Sequence, residues 1–280
     1  MKTKISSREP SAAGSFYPAK KKILEETITK MFSSSDTELI PGQIFGIISP
    51  HAGYIYSGQI AADAYKQIQL KNFDNVIVIA PSHFEEFSGC SIFFGDYITP
   101  LGIIPTNKKL AKSIVSSSLD IRESTSGHRY EHALEVQLPF IQVVLENFKL
   151  VPIAMGQQDY STAENLSNAL LTALSSPAFR EQKTLIVGSS DLSHYLSIDE
   201  TKKRDNIVLQ DIQDFNTKKL SDDINSNKCQ ACGFGPILST MLTSKNLGAT
   251  HSKVVSYGTS GEVSKDFKNV VGYLSGVFYT

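Results

Sequence analysis

Ile44-Phe45-Gly46-Ile47-Ile48-Ser49 runs directly into Pro50-His51-Ala52-Gly53. A short run rich in Ile, closed by Pro and Gly, reads as a buried strand ending in a tight turn. Two other segments repeat the arrangement. Val76-Ile77-Val78-Ile79-Ala80 leads to Pro81-Ser82-His83, and Leu185-Ile186-Val187, followed by Gly188-Ser189-Ser190, leads to Asp191-Leu192-Ser193-His194. Near-continuous apolar strands belong to parallel sheets covered on both faces. Residues just past the carboxyl ends of such strands share one edge, where open α/β sheets bind ligands. Three of the six histidines, His51, His83 and His194, are therefore expected at one crevice.

Outward from these segments the chain alternates strand and helix patterns. Strands are expected at 44–49, 75–80, 89–94, 148–154, 183–188, 253–257 and 269–277. Helices are expected at 21–33, 57–69, 107–117, 131–147, 160–175, 199–220 and 232–245. Leu134, Leu138, Ile141, Leu145 and Phe148 fall on one apolar stripe, and Pro139 either kinks that helix or starts a new one. The pattern predicts an α/β layered sandwich with a largely parallel central sheet, built as one domain over 1–280. Val115–Gly127 is read as a surface loop within it. Residues 1–20 are polar, but Ala12–Ala19 carries Phe16 and Tyr17 and is expected to dock on the body.

Composition narrows the function classes. The 280 residues carry a net charge of -1, with 41% hydrophobic and 20% charged residues, as in ordinary globular proteins. A near-neutral balance without dense basic patches argues against nucleic-acid or anionic-membrane binding. No stretch approaches the ~18 apolar residues of a membrane span, and the first residues lack the apolar core of a secretory signal. The three cysteines do not make a disulfide framework. Together these features predict a cytoplasmic protein with reduced thiols.

His51 and His83 sit in short Pro-containing turns that hold an imidazole rigidly. Neutral imidazole is a common ligand for iron, copper and zinc, although a histidine at a strand end also serves as a hydrogen-bonded structural residue. Cys232, in Cys232-Gly233-Phe234-Gly235-Pro236, stands before a helical run, where a thiol is expected to have a depressed pKa. The alternative is a small buried residue. Cys229-Gln230-Ala231-Cys232 also has the C-x-x-C form of a redox pair or half a zinc site. His194 suits a general acid/base, with metal ligation the alternative, and Asp191 is placed to accept its ring N–H. In His128-Arg129-Tyr130-Glu131-His132-Ala133-Leu134-Glu135, a helix would put His128, His132 and Glu135 on one face. Glu131, His132 and Glu135 are thus candidate pocket residues, but the spacing is not that of H-E-x-x-H proteases. Polar residues opening a helix are the alternative reading. His251 is expected on the surface.

Several strings, in order along the chain, resemble the Memo family. They are Arg8-Glu9-Pro10-Ser11-Ala12-Ala13-Gly14-Ser15-Phe16-Tyr17-Pro18, Pro50-His51-Ala52-Gly53-Tyr54-Ile55-Tyr56-Ser57-Gly58, Pro81-Ser82-His83, Glu131-His132-Ala133-Leu134-Glu135-Val136-Gln137-Leu138-Pro139, Ser189-Ser190-Asp191-Leu192-Ser193-His194 and Cys232-Gly233. Prokaryotic members carry the label AmmeMemoRadiSam system protein B; the animal member is a motility mediator downstream of receptor tyrosine kinases. The resemblance implies a fold similar to class III extradiol (LigB-type) dioxygenases, which use non-haem Fe(II). It implies metal ligation by His51, His83 and Cys232, with His194 as acid/base and Asp191 beside it. The dioxygenases have a carboxylate where this chain has Cys232, and that departure separates it from ring cleavage as such. A thiolate is softer, admits copper as well as iron, and is itself oxidisable.

The first functional expectation is therefore a non-haem Fe(II)-dependent oxidoreductase acting on a small substrate with O2, with Tyr54 hydrogen-bonding substrate or an oxygen species. Iron or copper handling is the second, sharing the site but not the turnover. A peptide-binding adaptor reusing the pocket is the third. Other AmmeMemoRadiSam system proteins are the partners that the resemblance implies.

Overall fold

In a computed structural model, which describes residues 6–280, the expected layers form around a large mixed sheet. The first five residues of the polar 1–20 stretch lie outside the described part. In chain order the elements are β1 (Ser7–Arg8), α1 (Lys21–Ser33), β2 (Ile44–Ser49), α2 (Tyr54–Lys66), β3 (Asn75–Pro81), β4 (Cys90–Ile92), β5 (Asp96–Thr99), β6 (Gly102–Ile104), α3 (Lys108–Ser116) and β7 (Ile121–Glu123). The chain continues through α4 (His132–Glu135), α5 (Leu138–Val144), β8 (Lys149–Met155), α6 (Tyr160–Leu174), β9 (Thr184–Ser189) and β10 (His194–Leu196). It ends with α7 (Ile198–Gln213), α8 (Thr217–Asn225), α9 (Phe234–Asn246), β11 (His251–Thr259), α10 (Gly261–Ser264) and β12 (Val270–Tyr279).

The sheet order is β10-β12-β2-β9-β3-β8-β4-β7, with β11 also pairing β12. The central strands β2, β9, β3 and β8 are mutually parallel. The flanks are not: β12 runs antiparallel to β2, β10 and β11, and β4 antiparallel to β8. The sheet is thus mixed: its centre is parallel, and beyond the antiparallel β8–β4 step the edge strand β7 again runs parallel to β4. Alternate residues of the central strands enter different cores. Val76, Val78 and Ala80 of β3 face one cluster with Ile47, Tyr65 and Phe140. Ile77 and Ile79 face the other, with Val151, Leu166 and Leu170. Burial on both faces is what the unbroken Val/Ile runs encode.

Four expectations are corrected. The 131–147 helix is two helices, α4 and α5, with Pro139 in the first turn of α5, where its missing N–H costs nothing. The 199–220 helix breaks after Gln213; Phe215 takes a positive φ of 52° and the Asn216 side chain caps α8. Val115–Gly127 is not wholly loop, because β7 pairs with β4 at the sheet edge. The helix expected from 57 starts at Tyr54. A small sheet, β1-β5-β6, was not foreseen; strands this short carry no periodicity to read. No helix among the described residues is long and apolar enough to cross a membrane.

Candidate metal centre

Because β2, β9 and β3 are neighbours running the same way, the residues following them emerge together. His51 follows β2, His83 follows β3 and Asp191 follows β9. Cys232 stands in the loop before α9, its backbone N–H donating to the Asp191 carbonyl at 3.1 Å. Gly233 lets that loop settle on the end of β9, since a Cβ there would lie 2.1 Å from the Ser189 carbonyl oxygen. Gly233→Ala is expected to lower stability by about 1–3 kcal/mol through overpacking against backbone. A thermal midpoint equal to that of the wild type would contradict this close approach.

One ligand atom from each of His51, His83 and Cys232 falls within 4.8 Å of the others. His51 is 2% exposed, and its Nε2 lies 3.1 Å from Cys232 Sγ. Its Nδ1 lies 2.9 Å from Ser189 Oγ, and its backbone N–H donates to Asp191 Oδ1 at 2.8 Å. His83 is partly exposed. Its backbone N–H donates to Glu131 Oε2 at 2.6 Å, and its Nδ1 lies 2.9 Å from Glu131 Oε1. That carboxylate can only accept, so His83 carries its proton on Nδ1 and keeps Nε2 free, the usual way an acidic partner prepares an imidazole ligand. Donors around a tetrahedral ion with bonds near 2.0–2.3 Å stand roughly 3.3–3.8 Å apart. With Cys232 Sγ 3.1 Å from His51 Nε2 and all three donors within 4.8 Å of one another, two imidazoles and a thiol are close enough to share one transition-metal ion after small adjustments.

A second set, His83, Glu131 and His132, is equally compact, but its geometry suits hydrogen bonding better. The His83 and His132 rings are stacked, 19° from parallel with centroids 5.1 Å apart. In-plane lone pairs of parallel rings run side by side rather than converging on one ion. Glu131 is further committed as the cap of α4, accepting from the Ala133 N–H at 2.9 Å.

Protonation follows burial. Desolvation holds His51 well below the usual imidazole range, helped by the other histidines. At His83 burial lowers the pKa, but the Glu131 hydrogen bond and charge outweigh it and the net shift is upward. Burial first, then the Asp191 charge, pushes the Cys232 thiol up. The expected helix-terminus depression is thus overridden, because desolvating a thiolate costs more than the nearby dipole returns. Burial raises Asp191 to about 7.

The remaining candidates divide. His194 is near enough for its charge to be felt at His51. Its Nδ1 donates to the Leu192 carbonyl at 2.7 Å, so Leu192, not Asp191, orients it. Asp191 serves His51 instead, with Oδ2 4.0 Å from His51 Nε2. Tyr54 is corrected: it is buried and its hydroxyl donates to the Val136 carbonyl at 2.7 Å, leaving no proton for a substrate. His132 stands at the site, its ring centroid 5.6 Å from that of His51, and Glu131 lies behind His83. Glu135 does not line the site; it is fully buried and paired with Arg8. His128 shares no helix face with them. It precedes α4, its ring lies between the Tyr97 hydroxyl and the Ser91 carbonyl, and burial lowers it to about 4. Cys229 is a free, buried thiol in an apolar cluster, so no disulfide uses the C-x-x-C pair. His251 is exposed, although it opens β11. Sequence reasoning missed Phe16, whose ring packs on His132 with centroids 4.4 Å apart; only its place in a docked aromatic segment hinted at it.

Fold and site together describe a mixed α/β protein with a His, His, Cys cluster at the carboxyl edge of its parallel strands. The family model of the Memo-like protein matches residues 8–277. A MEMO1 family protein of Methanobrevibacter smithii is 37% identical, covering 97% of this chain and 99% of its own. Another, from Nitrosopumilus maritimus, is 36% identical over 95% and 97%. The chain belongs to the Memo family. The crystal structure of the uncharacterised protein JW3007 from Escherichia coli K12 is similar in fold, with a TM-score of 0.55 and 10% identity, covering 84% of this chain and 99% of that one.

Proposed function

We propose that this Memo family protein binds one iron ion, or copper in its place, on His51, His83 and Cys232, and acts as an oxidoreductase on a small substrate with O2. The fold would then be of the class III extradiol dioxygenase type. The observation that supports this most is the meeting of three soft or borderline donors from distant segments. A bound ion of this kind supplies redox chemistry and open positions for O2 and substrate. The chain's own residues do the rest. His194, with Nδ1–H on the Leu192 carbonyl, keeps Nε2 as the nitrogen that takes a proton from a substrate hydroxyl. His132 and Phe16 form an aromatic wall beside the imidazoles.

The neutral thiol sets the pH dependence. Binding requires the thiolate, so each ion expels one proton. The Cys232 pKa is raised; through the neutral range affinity therefore rises with pH, about tenfold per unit, and falls on acidification. It falls more steeply once His83, whose pKa is also raised, takes up a proton. The test is anaerobic reconstitution with Fe(II) or copper, elemental analysis and absorption spectroscopy, on wild type and Cys232→Ser. A sulfur-to-metal charge-transfer band present in wild type and lost in the variant is expected. Equal metal content and identical spectra in both would overturn the ligand set. Oxygen consumption by the Fe(II)-loaded protein with small hydroxylated substrates separates turnover from metal handling.

A further inference from the structure

Ser189, at the end of β9, is fully buried, and its hydroxyl meets three partners. Oγ donates to the Ala133 carbonyl at 2.7 Å. It accepts from Gln137 Nε2 at 2.9 Å. It lies 2.9 Å from His51 Nδ1. A hydroxyl has one proton and two lone pairs. The Ala133 carbonyl can only accept, so it takes the proton. Gln137 Nε2 can only donate, so it takes one lone pair. The other lone pair is left for His51 Nδ1, which must therefore carry a hydrogen. The Gln137 amide cannot turn over to upset this. Its Nε2 also donates to the Pro50 carbonyl at 2.9 Å, and its Oε1 accepts from the Tyr65 hydroxyl at 2.9 Å. A flip would set the amide oxygen against the Pro50 carbonyl and against a Ser189 hydroxyl whose proton is already given to the Ala133 carbonyl.

We propose that Ser189, held by Gln137 and Tyr65, is the positioning residue that locks His51 as its Nδ1–H tautomer and turns the Nε2 lone pair toward Cys232. Uncharged His51 has two tautomers, and only this one offers Nε2 as a ligand. The other would point an N–H at the place where an ion would sit. The two imidazoles are thus prepared differently, His83 by a carboxylate and His51 by a neutral hydroxyl. A second carboxylate behind buried His51 would add an anion beside Cys232 and Asp191. The hydroxyl fixes direction without adding charge.

The metal's role rests on the proposed function, but the tautomer does not, so the decisive measurement uses metal-free protein. Long-range proton–nitrogen NMR correlations of 15N-histidine-labelled chain report which ring nitrogen of His51 is protonated. Nδ1–H alone is expected in wild type. In Ser189→Ala a substantial Nε2–H fraction is expected, and Ser189→Thr, which keeps a hydroxyl, restores Nδ1–H. An Nε2–H signal for His51 in wild type, or an unchanged tautomer in folded Ser189→Ala, would overturn the proposal. Chelator competition then reads the consequence: Ser189→Ala loses about 10–100-fold in metal affinity with the charge-transfer band retained. If wild type binds no metal, the proposed function fails while the tautomer result stands on its own.

Discussion

A His51→Ala, His83→Ala double variant is expected to bind Fe(II) at least about a thousandfold more weakly than wild type, a change of about 4 kcal/mol. The size follows from what the two rings contribute. Both are prepared before any ion arrives, His83 by the Glu131 carboxylate and His51 by burial that keeps it neutral. His51, its pKa held down by burial, has no proton to shed for its ligating nitrogen to be available, and each ring is held by a second contact behind it. Removing both leaves Cys232, whose thiol resists ionisation without a cation beside it. Equilibrium dialysis with metal analysis gives the affinity, and thermal unfolding verifies that the fold survives. Wild-type iron content in the folded double variant would remove the basis for the proposed function.

The largest loss of stability is expected elsewhere. Arg8, 5% exposed, and Glu135, 0% exposed, form a buried ion pair. Arg8 also donates to the carbonyls of His128 and Glu131, and Glu135 accepts from the backbone of Ser11 and Ala12 and from the Tyr17 hydroxyl. One carboxylate thus pins the N-terminal segment that carries Phe16 to His132. Glu135→Ala leaves a buried guanidinium without its partner, a defect worth about 3–5 kcal/mol. Replacing both residues with apolar ones removes the stranded charge, so Arg8→Met, Glu135→Leu should cost less than the two single losses added. Urea unfolding at pH 7 provides the comparison, and a shift under about 1 kcal/mol for Glu135→Ala would contradict this account of the anchor. Burial works to raise the Glu135 pKa, but Arg8 and the hydrogen bonds bring it below its ordinary value. Its contribution is therefore present above the ordinary carboxylate range and lost as pH falls through the lowered value.

Much of the framework was legible in the apolar runs. Ile44–Ser49 is a strand as read, and the 75–80 and 183–188 expectations agree with β3 and β9 to within a residue, because residues buried on both faces leave little choice but Val and Ile. Less legible were segments whose conformation is set by partners. β7 exists because β4 offers it an edge, and Gln213 ends α7 because Phe215 turns into a left-handed conformation. At the site, the chain order of His51, His83 and Cys232 was readable, but the role of Tyr54 was misread. A tyrosine beside a histidine motif looks available until the Val136 carbonyl is seen to hold its hydroxyl. Asp191 likewise pairs with the nearer-looking His194 in sequence, yet the parallel neighbours β2 and β9 give it to His51.

Sequence by itself determined the family, the buried central strands and the residue types at their ends, since those follow from local hydrophobicity and from short motifs. Only the tertiary structure decided which of those side chains face one another and in what protonation state. Donor and acceptor assignments depend on partners more than a hundred residues away, as with Ser189 behind His51 and Arg8 against Glu135. No local pattern encodes those pairings. They arise when strand order and helix packing bring distant polar groups out of water together, where each must find a partner.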